Sequence, residues 1–374
     1  MTKLSKLLSE LSPNGVEYKK VKEVYKRLKG TPITATKMKE IDNPNGEIRI
    51  FAGGKTVISA REKDIPNANI TRVPAVLVQS RGVIDVVYYN KPFTFKNEMW
   101  AYTSENEIEV KFLFYVLKNN IMKFRESASG MGSLPQISLP VTEEFVMPVP
   151  SLEVQCEIVR ILDNFTELTA ELTAELTARK KQYEFYRNKM LTFDTEVTWK
   201  RLDEITNLFR GEYITKNSTH EGIVPVILGG QEPAYYIDKS NHEGEIIVVA
   251  RSGASAGFVS YWNEPIYVTD GFGYEGKSEL IITKYLYYML KNIECTLNAM
   301  KRGAGVPHIS GEVLAKIMLP VPQITEQERI VKILDRFDRL CNDRSCGLLA
   351  EIRARQKQYE YYRDKLLTFK ELRK

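Results

Sequence analysis

The sequence predicts a mixed α/β protein built as an internal pseudo-twofold repeat. Two similar globular α/β domains are separated by two long helices that pack as an antiparallel coiled coil. Three observations lead to this fold class. PVPSLEVQCEIVRILDNF (Pro148 to Phe165) is written again as PVPQITEQERIVKILDRF (Pro320 to Phe337). Each copy opens a heptad run of apolar residues. Each is also preceded by a longer stretch of β-branched and aromatic runs broken by glycine.

The repeat extends over the whole chain. Val16 to Val24 (VEYKKVKEV) aligns with Val197 to Ile205 (VTWKRLDEI), and KGTPIT (Lys29 to Thr34) with RGEYIT (Arg210 to Thr215). KFLFYVLKNN (Lys111 to Asn120) meets KYLYYMLKNI (Lys284 to Ile293), and SLPQIS (Ser133 to Ser138) meets GVPHIS (Gly305 to Ser310). RKKQYEFYRNKMLTF (Arg179 to Phe193) matches RQKQYEYYRDKLLTF (Arg355 to Phe369). The order is therefore A–B–A′–B′, with expected boundaries at 1–148, 149–194, 195–320 and 321–374. Two similar modules suit a target with two similar halves.

The first A segment reads as strands over Val73 to Tyr89 and a short buried helix at Lys111 to Asn120. The second repeats this with strands over Gly244 to Trp262 and a helix at Lys284 to Ile293. In the first B segment, Ile158, Leu162, Phe165, Leu172, Leu176, Tyr183, Tyr186, Met190 and Phe193 lie on one heptad seam. This predicts a helix from about Glu153 to Phe193, roughly 60 Å long. The second seam runs from Ile330 to Phe369 with one doubled step, Leu348 to Ile352, which predicts a continuous helix with a four-residue stutter. The first helix carries its own four-residue repeat, TAELTAEL, from Thr169 to Leu176.

The chain has 374 residues and a net charge of +5. That charge is uneven: +6 over residues 1–150, −2 over 151–195, −3 over 196–322 and +4 over 323–374. A protein that grips DNA alone is usually basic throughout its grip, so a nucleic-acid role here implies partners that share the phosphate contacts. No apolar run is long enough to span a bilayer, and the start, MTKLSKLLSELSPNG, lacks the apolar core of a secretory signal. Cys156, Cys295, Cys341 and Cys346 show no paired metal spacing, which points to a reducing cytoplasm.

No repeated catalytic constellation emerges. AGGKT (Ala52 to Thr56) lacks the upstream glycine of a phosphate-binding loop, and its counterpart LGGQE (Leu228 to Glu232) lacks the lysine. NKPF (Asn90 to Phe93) and NEPI (Asn263 to Ile266) read as turns. All three histidines, His220, His242 and His308, lie in the second half, so histidine chemistry is not repeated. SGMGSLP (Ser129 to Pro135) and RGAGVP (Arg302 to Pro307) lack the strand context of a dinucleotide fingerprint. What remains is recognition. The residues alone leave open a coiled-coil scaffold whose heads bind protein and not DNA, and a DNA enzyme with a divergent site.

The doubled proline pair, Glu-Gln and Ile-Val-x-x-Leu pattern resembles the signature of type I restriction-modification specificity subunits, and the A–B–A′–B′ order resembles that family over the whole chain. Val154 departs from it, standing where the second copy has Glu326. The resemblance implies two target-recognition domains, each reading one half of a split DNA site, with helices that set the spacer. It implies no catalysis and no cofactor in this chain. The implied partners are double-stranded DNA, two adenine methyltransferase subunits using AdoMet, and two restriction-translocase subunits using ATP and Mg.

Candidate DNA contacts are polar residues near glycine turns. In the first module they are Lys29, Thr34, Gly54, Lys55, Gln79, Ser80 and Arg81. In the second they are Arg210, Thr215, Gly230, Gln231, Arg251 and Ser252. Arginine, lysine and glutamine can read base edges, while serine and glycine admit close backbone approach. Phe185 and Tyr361, aromatic residues off the seam, together with Gln155, Glu326 and Gln327 of the signature, are expected to dock partner subunits.

Overall fold

The computed structural model describes residues 3–129, 134–193, 197–215, 220–228, 232–303, 305–343 and 345–372. Two compact units emerge: Met1–Glu171 with Arg353–Lys374, and Leu172–Ile352. The division falls inside the long helices, so each unit holds one α/β module and a part of both helices.

The first unit is built on a four-stranded antiparallel sheet in the order Lys26–Leu28, Trp100–Thr103, Ala75–Gln79, Asp85–Tyr89. Its inner strand AVLVQ is buried throughout, as expected of a strand covered on both faces. A three-stranded sheet of Val57–Ala60, Ile48–Phe51 and Phe93–Phe95 mixes antiparallel and parallel pairing. Helix Glu107–Asn119, capped by the Asn106 side chain on Ile108 N–H, buries Val110, Phe112, Leu113 and Val116 in the main core. The N-terminal helix Lys3–Leu11 is tied to the long helix by Lys3 and Glu157, 3.0 Å apart. Arg160 and then Lys3 hold that carboxyl down at about 2.

The second unit repeats the topology. Thr206–Arg210, Gly271–Gly276, Glu245–Ala250 and Val259–Asn263 form the four-stranded sheet. Tyr235–Ile237, Val224–Ile227 and Tyr267–Val268 form the three-stranded one, with the same parallel pair. Helix Thr283–Asn292 covers the larger sheet. Each unit also has a two-stranded ribbon that leads into a long helix: Glu17–Lys20 with Val146–Val149, and Thr198–Arg201 with Met318–Val321. Pro148 and Pro320 sit in these ribbons, where a missing N–H costs least.

The first long helix is unbroken over the 39 residues Leu152–Met190, about 58 Å. The expected continuous second helix is not formed. It is two helices, Ile324–Asn342 and Gly347–Leu366. The insertion interrupts the helix between Asn342 and Gly347 instead of being absorbed as a stutter. The Asp343 carboxylate accepts from Ser345 N–H, Ser345 Oγ and Cys346 N–H, which holds its pKa well below the usual range. Gly347 has φ +78°, and a Cβ there would meet the Arg339 and Leu340 carbonyl oxygens at 2.7 Å. Beyond the turn, Leu348 and Ile352 rejoin the seam with Cys341, Leu172 and Leu176.

The helices run antiparallel. Phe165 stacks on Tyr362 in the first unit, with ring centroids 5.7 Å apart; Tyr186 stacks on Phe337 in the second, 5.8 Å apart. These are the same pair in repeat register. The chain end then closes the first unit. Leu367 is buried in the main core and Phe369 packs against it. Val16 N–H donates to Lys370 O, Leu372 N–H to Val16 O, and Tyr18 Oη to Phe369 O.

Deleting residues 367–374 should therefore destabilise the first unit by on the order of 4 kcal/mol, from two apolar side chains and three hydrogen bonds. Thermal unfolding followed by hydrogen exchange in Glu17–Lys20 checks this; unchanged protection there would contradict the tail's role.

Candidate nucleic-acid interface

Each unit carries a groove built from three matched segments. In the first, Arg27–Gly30, Asn97–Trp100 and Gln136–Leu139 enclose about 570 Å³. In the second, the edge strand at Leu208 and Arg210–Gly211, Thr269–Phe272 and His308–Gly311 enclose about 530 Å³. Two glycines bring the first wall close. A Cβ at Gly30 would meet Phe95 O at 2.2 Å, and one at Gly211 would meet Thr269 O at 2.7 Å. The neighbouring cations, Lys29 and Arg210, are exposed.

The turn after the inner strand lies against the third segment. Ile137 N–H donates to Ser80 O and Gly82 N–H to Pro135 O; in the second unit Ile309 N–H donates to Arg251 O and Gly253 N–H to Pro307 O. This fixes the register of the repeat: Ser80 is equivalent to Arg251, and Arg81 to Ser252. Serine and arginine have exchanged places. Gln79 and Ser80 are buried, and the Ser80 hydroxyl donates to Glu98 O. Arg81 is exposed and its carbonyl receives Gly54 N–H at 3.0 Å. In the second unit Arg251 is exposed, while the half-buried Ser252 hydroxyl donates to the Asp270 carboxylate.

The candidate contacts therefore separate by geometry. Lys29, Lys55, Arg81, Arg210 and Arg251 present exposed side chains. Gly54, at φ +75°, holds the loop that carries Lys55. Thr34 is exposed, but its hydroxyl caps helix Ala35–Ile41 by accepting Lys37 N–H. Thr215 is exposed at the end of its segment. Gly230 and Gln231 lie outside the described residues. Gln79, Ser80 and Ser252 are framework, holding the turns from beneath.

Two matched pairs were not among the expected contacts. Gln136 and His308 are exposed on the third segment, and Glu98 and Asp270 are half-buried acids on the second. Glu98 pairs with Lys96 at 3.0 Å and accepts Gly53 N–H. Gln136 and His308 were visible in the PQIS/PHIS repeat. The acids were not, because NEMW and TDGF share no residue that would align them. Together the grooves offer cationic, amide, imidazole and carboxylate groups, a set suited to base edges in the major groove. Among the described residues no cluster of histidine, cysteine and carboxylate could hold a metal ion, and no helix is long and apolar enough to cross a membrane.

The residues expected to dock partners also separate. Phe185 and Tyr361 are 62% and 61% exposed on equivalent turns of their helices. Glu326 pairs with Arg329 at 2.6 Å on the rim of an open groove of about 670 Å³, floored by Tyr186, Met190, Phe193 and Phe337. Gln155 and Gln327 are buried within their own units and present nothing to a partner. Gln155 Nε2 donates to Pro150 O, while Gln327 donates to Leu280 O and Pro322 O and accepts Ile282 N–H. Their amides lock the proline pair to the helix start.

The family model for the type I restriction modification DNA specificity domain matches residues 13–179 and again 195–354. The chain belongs to that family. Its members are non-catalytic specificity subunits. A type I restriction enzyme specificity subunit of Escherichia coli is 36% identical over 71% of this chain and 72% of its own length. A putative type I restriction enzyme specificity subunit of Haemophilus influenzae is 32% identical over 74% of this chain and 77% of its own. The fold is similar to the crystal structure of the S subunit of a type I restriction-modification system from M. genitalium, with TM-score 0.68 and 20% identity, covering 94% of this chain and 95% of that one.

Gln327→Ala should cost about 3 kcal/mol, because it removes three hydrogen bonds and strands Ile282 N–H. Melting temperature and partner co-purification separate the two roles: stability falls, while binding per folded chain holds. Lost binding at unchanged stability would restore the docking role.

Proposed function

We propose that each unit reads one half of a split, asymmetric double-stranded DNA site, and that the paired long helices set the distance between the halves. The observation that carries this is the pair of grooves: the same three segments build both, and the groups they present differ. Lys29 is matched by Arg210 and Gln136 by His308, while the exposed Arg251 takes the position of the buried Ser80. One scaffold with two sets of hydrogen-bonding groups is what a reader of two different half-sites needs.

In this reading the chain works in the cytoplasm with two adenine methyltransferase subunits that bring AdoMet. Two restriction-translocase subunits bring ATP and Mg. Such partners account for the modest and uneven charge, because they share the phosphate contacts. Phe185 and Tyr361, with the groove beside Glu326, supply exposed apolar surface for the methyltransferases.

The test is base-resolution mapping of N6-methyladenine in DNA from cells expressing the chain with its methyltransferase. A split motif that disappears when the chain is omitted supports the reading; methylation unchanged by omission returns the weight to a scaffold. Arg251→Ala keeps the backbone bonds to Ile309 and Asp270, so it should relax or abolish the second half-site alone. Equal weakening on every sequence would remove Arg251 from base reading. Inserting Thr-Ala-Glu-Leu after Leu176 adds about 6 Å of helix. At roughly 3.4 Å per base pair the gap should grow by one or two pairs with both half-sites unchanged; a fixed gap would rule out the helices as the ruler.

A further inference from the structure

The signature repeats an aspartate outside both grooves: Asp163 in ILDNF and Asp335 in ILDRF. In the first unit, Lys111 Nζ lies 2.7 Å from Asp163 Oδ2, and Tyr115 Oη donates to Asp163 Oδ1 at 2.5 Å. In the second, Tyr288 Oη donates to Asp335 Oδ1 at 2.5 Å, and Lys284 Nζ stands 3.6 Å away. Lysine and tyrosine are four apart on one face of the module's helix, and the aspartate stands on the long helix. The lysines also lie over strand tyrosines, Lys111 over Tyr88 at 5.7 Å and Lys284 over Tyr261 at 4.0 Å. One carboxylate thus joins the module helix to the long helix in each unit, and its lysine partner also lies over the sheet.

We propose that these Lys–Asp–Tyr clamps fix the rotational setting of each module on its long helix, and so make the complex accept a single spacer length. The inference rests on the two-half reading above. Most of the rest of that contact is apolar: Ile158, Val159 and Leu162 in the first unit, Ile330 and Leu334 in the second, where the Gln327 amide also bonds Leu280 and Ile282 at the helix start. Apolar packing is non-directional. A tyrosine hydrogen bond to a carboxylate is directional and charge-assisted, and the lysine adds a second hydrogen bond in the first unit and an ion pair in the second. Adjacent base pairs differ by about 3.4 Å in rise and roughly 34° in rotation. A module free to turn on its helix can therefore meet a half-site displaced by one pair, and a clamped one cannot. The carboxylates are part-exposed, at 28% and 35%, so neutralising them leaves no buried charge unpaired.

The test uses the full chain with its methyltransferase and the same methylation map. For the double variant Asp163→Asn, Asp335→Asn, both half-sites should be unchanged. Methylation at sites with a spacer one pair longer or shorter should rise about tenfold, the change expected from losing a charge-assisted bond. A merely structural role would lower methylation evenly and keep the single spacer, and that result overturns the proposal. If the double variant melts early, Tyr115→Phe with Tyr288→Phe decides by the same readout, because it removes one bond and keeps the Lys–Asp pair. A smaller broadening supports the clamp; an unchanged spacer overturns it. If the unaltered chain gives no split motif, the two-half reading itself fails, which is a different outcome from a split motif with an unaffected spacer.

Discussion

The apolar seam of a 39-residue helix has to be covered by something other than itself, and much of this architecture follows from what covers it. At the N-terminal part of Leu152–Met190 the cover is its own module and the C-terminal helix, with Phe165 on Tyr362. At its C-terminal part the cover is the second module and Ile324–Asn342, with Tyr186 on Phe337. Neither unit is complete in sequence. Each borrows the far half of the other repeat's helix, and the first also borrows the chain's last residues. Duplication thus yields two mutually completing units and not two independent domains.

That arrangement gives matched residues different tasks. The glutamines of the signature look like surface recognition in a list of motifs. In space they are internal fasteners, bonding to Pro150 on one side and to Leu280, Ile282 and Pro322 on the other. The aromatic pairs divide similarly. Tyr186 and Tyr362 face the seam, while Phe185 and Tyr361, one residue earlier, point outward. A helix turns about 100° per residue, so adjacent side chains of like chemistry are assigned to unlike surfaces.

The grooves follow the same economy. Backbone bonds from Ile137 to Ser80 and from Ile309 to Arg251 hold equivalent turns in place whatever their side chains are. The side chains at these positions can then differ without disturbing the fold. Serine and arginine exchange places across the repeat, one used beneath the turn and one above it. A site that keeps its frame in backbone hydrogen bonds and its chemistry in exposed side chains can change specificity with little loss of stability.

Periodicity and repetition in the sequence by themselves determined the fold class, the antiparallel helices, the hairpin strands and the absence of a repeated catalytic set. These signals are local or self-referential, so one chain suffices to read them. The tertiary structure decided the rest. It placed Glu98 and Asp270 in equivalent grooves although their flanks do not align, and it made Arg251 the counterpart of Ser80. It also broke the second helix between Asn342 and Gly347, where a periodic pattern predicts continuity. In the grooves the deciding contacts join residues far apart in sequence, and at the helix break a carboxylate accepts from backbone N–H groups two and three residues on. Side-chain periodicity carries no record of either.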